Sequence, residues 1–173
     1  EHPALMPRPS STLRLGDRVP TFLLRDAISD STFDLDSLLA GHRGLLLVFH
    51  RGMWCPSCRR QLTELEDALP TLEGAGIRVA AVLAQAWYRV RVSLEKLDNP
   101  YRFPILCDGD REVVKAYGVW HPLGIDAFNS AHPASFLIDS ASILRYSFVG
   151  STQFQRAPMG DILSVAEREL RVQ

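Results

Sequence analysis

Leu45-Leu46-Leu47-Val48-Phe49, running through His50-Arg51-Gly52-Met53 into Trp54-Cys55-Pro56-Ser57-Cys58, is the stretch that decides the fold. An unbroken apolar run of that length reads as a strand buried on both faces. Beyond the second cysteine, Leu62, Leu65, Leu69 and Leu72 recur on one helical face. Two of the three cysteines therefore sit where a strand gives way to a helix. Backbone N–H groups are unpaired at that place, and the helix dipole favours an anion. The anion a cysteine supplies is its thiolate, which is its reactive form. Pro56 suits the first helical position, where a missing N–H costs nothing.

On the N-terminal side, Thr21–Leu24 and Thr32–Leu35 read as two short strands around the polar turn 26–31, and Asp36 is placed to cap a short helix through Leu39. Residues 1–14, with three prolines and no apolar period, read as a flexible arm; residues 15–173 read as one domain. The cysteine helix is expected from Pro56 to about Glu73, kinked or shortened by Pro70 and ended by Gly74 and Gly76. A second buried strand follows over 77–83, a helix over 86–97, a short strand over 105–107 and a helix over 110–117. Residues 119–132 read as irregular. Ser135–Ile138 and Leu144–Val149 form a hairpin in this reading, with Asp139 as a turn residue, and a last helix covers 159–171. Strands alternating with helices, closed by a hairpin, predict an α/β domain with a mixed sheet.

The bulk properties are those of an ordinary globular domain. Of the 173 residues, 46% are hydrophobic and 23% charged, and the net charge is −1. That balance gives no electrostatic reason to expect a nucleic acid or an anionic membrane as partner. No apolar run approaches the ~18 residues of a membrane-spanning helix, and no secretory signal is visible. The chain opens on Glu1 rather than Met, which leaves room for an upstream segment removed earlier.

With Cys55 at the helix N-cap and Cys58 one turn in, the two sulfurs face each other within disulfide reach. The first thiol is expected to be the more exposed, with a pKa well below the free value of ~8.5. Arg51, Arg59 and Arg60 add positive charge around the pair. Cys55 would attack a substrate sulfur and Cys58 would release the mixed disulfide. Half of a zinc site also spells C-x-x-C, but Cys107, His121 and His132 are scattered singles rather than a second pair. Cys107 reads as a buried structural thiol, with a resolving role as the alternative, and His50 and His121 as satisfied core or surface histidines. Glu64, Glu66 and Asp67 read as the solvated face of the cysteine helix.

The segment Phe49–Cys58 resembles the thioredoxin superfamily, and more narrowly the peroxiredoxin-like branch of the AhpC/TSA family. Gly16–Phe22, Phe103–Asp108, Ala116–Val119 and Pro133–Asp139 match in the same order. The resemblance implies a thioredoxin fold, a mixed central sheet flanked by helices with an N-terminal β-hairpin extension. It also implies an enzyme that works through thiols. Laying the peroxiredoxin motif Pro-x-x-x-Thr/Ser-x-x-Cys on this chain makes Cys58 peroxidatic, puts Cys55 at the Thr/Ser position and Arg51 at the Pro position. Pro133 then stands where a later Arg belongs. What replaces those residues resembles the superfamily's thiol–disulfide oxidoreductases, in which a cis-proline, here Pro133, faces the cysteines. The residue before it, here His132, tunes the disulfide. Trp54 is expected to shield the sulfur and to offer partners a flat contact, and Arg51 to hold a thiolate or peroxide oxygen.

The resulting expectation is a thiol-dependent antioxidant oxidoreductase leaning to disulfide exchange, with direct hydroperoxide reduction as the alternative. A non-catalytic redox sensor or metal-binding module is the reading from another class. No bound cofactor is required. Electrons would come from thioredoxin or glutathione, the substrate would be a protein disulfide or a hydroperoxide, and a homodimer is allowed. A bacterial cytoplasm is favoured slightly over the cell envelope.

Overall fold

The computed structural model describes residues 13–123, 128–150, 152 and 155–170, with the backbone course alone for 121–123 and 128–130. Most of the arm expected over 1–14 thus lies outside the described residues. The chain opens with the antiparallel hairpin β1 (Leu23–Asp26) and β2 (Thr32–Asp34), followed by α1 (Leu35–Leu39). Next come β3 (Gly44–His50), α2 (Pro56–Gly74), β4 (Ile77–Leu83), α3 (Trp87–Lys96), β5 (Ile105–Cys107) and α4 (Glu112–Ala116). A hairpin of β6 (Trp120–Leu123) and β7 (Phe128–Ala131), the hairpin of β8 (Ala134–Asp139) and β9 (Leu144–Val149), and α5 (Met159–Glu169) complete it.

Seven of these strands form one mixed sheet in the order β2-β1-β5-β4-β3-β8-β9. β3, β4 and β5 are parallel, β8 runs antiparallel to β3, and the N-terminal hairpin joins the far edge through β1 and β5. β3 is central and buried along its whole length, as an apolar run with no polar alternation demands. Its alternate residues feed two cores. Leu45, Leu47 and Phe49 pack with Tyr117 and Phe136 on the α1/α4 side, where the Phe49 and Tyr117 rings meet at a 41° tilt with centroids 5.3 Å apart. Leu46 and Val48 meet Leu62, Leu65, Leu69 and Leu72 of α2 and Ile162 and Ala166 of α5. This is the arrangement expected of a thioredoxin fold.

Two local expectations are corrected, at the cap of α1 and over 119–132, and the bounds of α2 are as expected. Asp34, not Asp36, caps α1: its carboxylate accepts the Ser37 N–H at 2.7 Å, and the Ser37 hydroxyl accepts the Asp34 N–H at 3.0 Å. Reciprocal bonding of this kind needs the N-cap and N3 positions, which Asp36 does not occupy. α2 has the expected bounds, running through Pro70 to Gly74, with Leu69 and Leu72 keeping its last turns buried. Ala75 closes it and Gly76, at φ +81°, turns the chain into β4. Residues expected to be irregular over 119–132 contain the β6–β7 hairpin, whose mixed Trp, His, Pro and Asn composition hides a strand period.

Candidate active site

Cys55 occupies the N-cap of α2 in extended conformation, with Pro56 at the first helical position. Its sulfur accepts the Cys58 N–H at 3.3 Å and the Arg51 guanidinium at 3.2 Å. Arg51 is only 4% exposed, and its guanidinium carbon lies 4.9 Å from the ring centre of Trp54. Trp54 is half exposed, so the indole forms a flat outer face over the charge beneath it. Both active-site cysteines are free thiols.

The two sulfurs are driven apart electrostatically. The Cys58 thiol donates to Cys55, Arg51 bonds and attracts the same sulfur, and the Cys58 N–H adds another hydrogen bond; against burial, these hold the Cys55 pKa down to about 5. The same donated bond, burial and the nearby Cys55 charge push the Cys58 thiol far up. At neutral pH the pair is one thiolate and one thiol, sharing a proton.

The loop before the cysteines is held from below. Gln85, just beyond the end of β4, accepts the Met53 N–H at 2.9 Å through its side-chain oxygen, and Arg59 donates to the Met53 carbonyl at 2.5 Å. Gly52 has no room for a side chain: a Cβ there would meet the Trp54 indole nitrogen at 2.6 Å and the Gln85 oxygen at 2.9 Å. Gln85 was missed by sequence reading. The available signal was position, since β4 is parallel to β3 and its end must lie beside the cysteine loop.

The structure brings Arg51, Trp54, Cys55, Pro56 and Cys58 together. It differs from expectation at several residues. Cys55 is not the more exposed thiol: it is fully buried, under Trp54 and Arg51, and Cys58 is 3% exposed. Of the arginines, Arg51 reaches the sulfur, whereas Arg59 is spent on Met53 and Arg60 points to solvent. His132 and Pro133 do lie beside the end of β3, one step ahead of Ala134, which pairs with Phe49. However, the His132–Pro133 bond is trans, like every described peptide bond. On either side of it the His132 N–H donates to the Val119 carbonyl at 2.8 Å and the Pro133 carbonyl accepts the Gly150 N–H at 2.7 Å. The His132 ring is engaged with the Gly150 carbonyl at 3.1 Å.

His50 is buried, yet among the described residues neither ring nitrogen has a hydrogen-bond partner, against the expectation of a satisfied histidine. Burial pushes its pKa down to about 4. Cys107 lies on β5, separated from β3 by β4, and burial, reinforced by Asp26, pushes its thiol up to about 12. That places it as an inert packing residue. Asp139 is the turn residue expected, accepting the N–H groups of Ala141 and Ile143. Glu64 and Glu66 are more than a solvated face, since they pair with Arg156 and Arg102. The side chain of His121 lies outside the described residues. Among the described residues no group of three or more His, Cys, Asp or Glu side chains gathers as a metal site, and no helix is long and apolar enough to cross a membrane.

The chain is similar to several known proteins. The thiol:disulfide interchange protein DsbE of Escherichia coli K12 is 33% identical over 138 residues, covering 79% of this chain; the chain spans 65% of that relative's length. Peroxiredoxin Bcp of the same organism is 28% identical over 138 residues, with 79% of this chain and 85% of the relative covered. The crystal structure of peroxidoxin BcpB from Mycobacterium tuberculosis superposes with a TM-score of 0.78 at 17% identity, covering 92% of this chain and 99% of the other, and shows the fold. Residues 15–147 match the model of the AhpC/TSA family, and the chain belongs to that family, a peroxiredoxin-like branch of the thioredoxin superfamily.

Proposed function

We propose that this protein is a thiol–disulfide oxidoreductase in which Cys55 attacks and Cys58 resolves. The observation that carries the reading is the asymmetry of the pair: Cys55 is held as a thiolate by Cys58 and Arg51, while Cys58 keeps its proton.

The Cys55 thiolate attacks one sulfur of a substrate disulfide, forming a mixed disulfide and expelling the other substrate sulfur as a thiolate. That step removes the Cys55 charge and its hydrogen bond, two of the causes that raise the Cys58 pKa. Cys58 then gives its proton to solvent or to the departing thiolate. Its sulfur attacks Cys55, releasing the second substrate thiol and leaving a Cys55–Cys58 disulfide. The substrate has gained two electrons and the protein dithiol has lost two. The dithiol of thioredoxin, or two molecules of the monothiol glutathione, restores the reduced pair by the same exchange in reverse and ends as a disulfide. A protein disulfide is the substrate class this reading favours, because Trp54 offers an exposed flat surface beside the sulfur. We take residues 15–173 as the single domain carrying this chemistry, with a bacterial cytoplasm as its setting and a homodimer as an allowed assembly.

Direct hydroperoxide reduction by Cys58 asks that sulfur for a thiolate, which its surroundings oppose. The test is insulin disulfide reduction with glutathione as donor, measured above the rate with glutathione alone, beside trapping with Cys58→Ser. Exchange predicts turnover and a stable adduct on Cys55. A sulfenic acid forming on Cys58 in Cys55→Ser at low hydrogen peroxide, with no insulin reduction, would overturn it.

A further inference from the structure

The alternation that sends Leu45, Leu47 and Phe49 to one face of β3 sends Leu46, Val48 and His50 to the other, under α2 and α5. There they line a cavity of about 310 Å3. Its walls are apolar, from Leu65 and Ala68 of α2 and Met159 and Ile162 of α5. That volume and lining match small-molecule pockets, which run from roughly 300 Å3 upward and are mostly apolar with a few placed polar groups. The polar groups here are His50, Gln61 and Ser135, all buried. They gather at one end: His50 closes β3, Ser135 pairs with Val48, and Gln61 lies one turn after Cys58 on α2. The mouth is marked by Glu64 and Arg156, an exposed ion pair that already consumes the charge of both.

His50 is the decisive residue. Buried polar groups in folded proteins are almost always hydrogen-bonded, and an exception calls for a partner that the chain itself does not supply. Among the described residues both of its ring nitrogens lack one, at 3% exposure, in a residue that lines the cavity. The imidazole is neutral at pH 7, so it offers one donor and one acceptor. A hydroxyl, which both donates and accepts, complements it. A carboxylate does not, because no unpaired cation lines the cavity to offset its desolvation.

We propose that this cavity is a binding site for a small uncharged amphiphile, an aliphatic chain ending in a hydroxyl head, whose head bonds His50 and whose tail lies along Leu46, Leu65 and Ile162. The site stands apart from the thiol reading, since occupancy requires neither cysteine to react.

The probe is octanol, titrated into the reduced protein and followed by NMR of the Leu65 and Ile162 methyls and the His50 ring. Saturable shifts at all three are expected, with octanoate at neutral pH binding at least about tenfold more weakly and His50→Phe weakening octanol by about tenfold, the loss of one good hydrogen bond. Ala157→Trp, which fills the mouth from a partly buried position, should abolish the shifts even if His50→Phe fails to fold. Shifts that rise without saturation, that persist in Ala157→Trp, or that octanoate reproduces at equal concentration overturn the proposal. Insulin reduction is unaffected by any of these results, so the two readings fail separately.

Discussion

The Arg51 guanidinium reaches the Cys55 sulfur across 3.2 Å from the last turn of chain before the cysteine helix, and both residues are buried beneath Trp54. A buried arginine on a buried sulfur fixes the ionisation of the site. The charge cannot be left unpaired there, so the thiolate is its natural partner.

The contributions to that ionisation have an order. The Cys58 thiol is the largest stabiliser of the Cys55 thiolate and Arg51 the next. Iodoacetamide labelling of Cys55 should therefore titrate near pH 5 in the native protein. Both Cys58→Ala and Arg51→Met should move that midpoint upward, toward the free thiol value of ~8.5, with the larger move in Cys58→Ala. A larger move in Arg51→Met would mean that the guanidinium, not the shared proton, dominates.

The same shift links stability to pH. The Cys55 pKa is depressed on folding, so the reduced protein gains from this group as pH rises from about 5 toward ~9, and loses that gain on acidification through about 5. Cys58 works the other way: its raised pKa favours folding only below the unfolded thiol value, and the advantage fades as pH climbs past ~9. Denaturant midpoints of the reduced protein against Cys55→Ser should diverge between pH 5 and 8. Parallel curves across that window would show that Cys55 does not ionise differently on folding.

His50 supplies an acid-side liability. Its pKa falls on burial from 6.5 to about 4, so the unfolded chain takes up a proton that the folded one refuses. As pH falls from 6.5 to 4 this costs on the order of 3 kcal/mol, at about 1.4 kcal/mol per unit. His50→Gln should flatten that part of the acid-denaturation curve. An unchanged slope would place the acid sensitivity elsewhere, and not at buried Asp108, whose raised pKa makes acidification favour the fold.

Below the cysteine loop, Gly52 and Gln85 form a single support. Gly52→Ala pushes a methyl against the Trp54 indole and the Gln85 oxygen, and Gln85→Ala removes the acceptor of the Met53 N–H. Each should leave the fold intact, lower disulfide exchange roughly tenfold through misplacement of Cys55, and quench or redshift Trp54 fluorescence. Activity lost with Trp54 emission unchanged would point to a different cause.

At α1, Asp34→Ala should cost about 0.5–2 kcal/mol by urea unfolding, and Asp36→Ala only a few tenths. Equal costs would remove the distinction between the cap and the first turn.

Much of the frame was legible because its signals are local. An all-apolar run such as Leu45–Phe49 can only be a central strand, and Leu62, Leu65, Leu69 and Leu72 can only be one buried helical face. The β6–β7 hairpin was illegible because its residues alternate no clear polarity. Proline at position 133 carried a cis expectation by resemblance, and in the structure the bond is trans, an isomer that the local sequence does not encode because cis and trans X–Pro differ by only about 0.5–1 kcal/mol.

Sequence alone determined that two cysteines would stand at the mouth of a helix behind a buried strand, since spacing and periodicity are properties of the chain. Only the tertiary structure decided which sulfur carries the charge, that Gln85 props the loop, and that His50 faces a cavity with no partner of its own. Those outcomes depend on groups distant in sequence meeting in a low-dielectric interior, where a few ångströms set the energy of a proton.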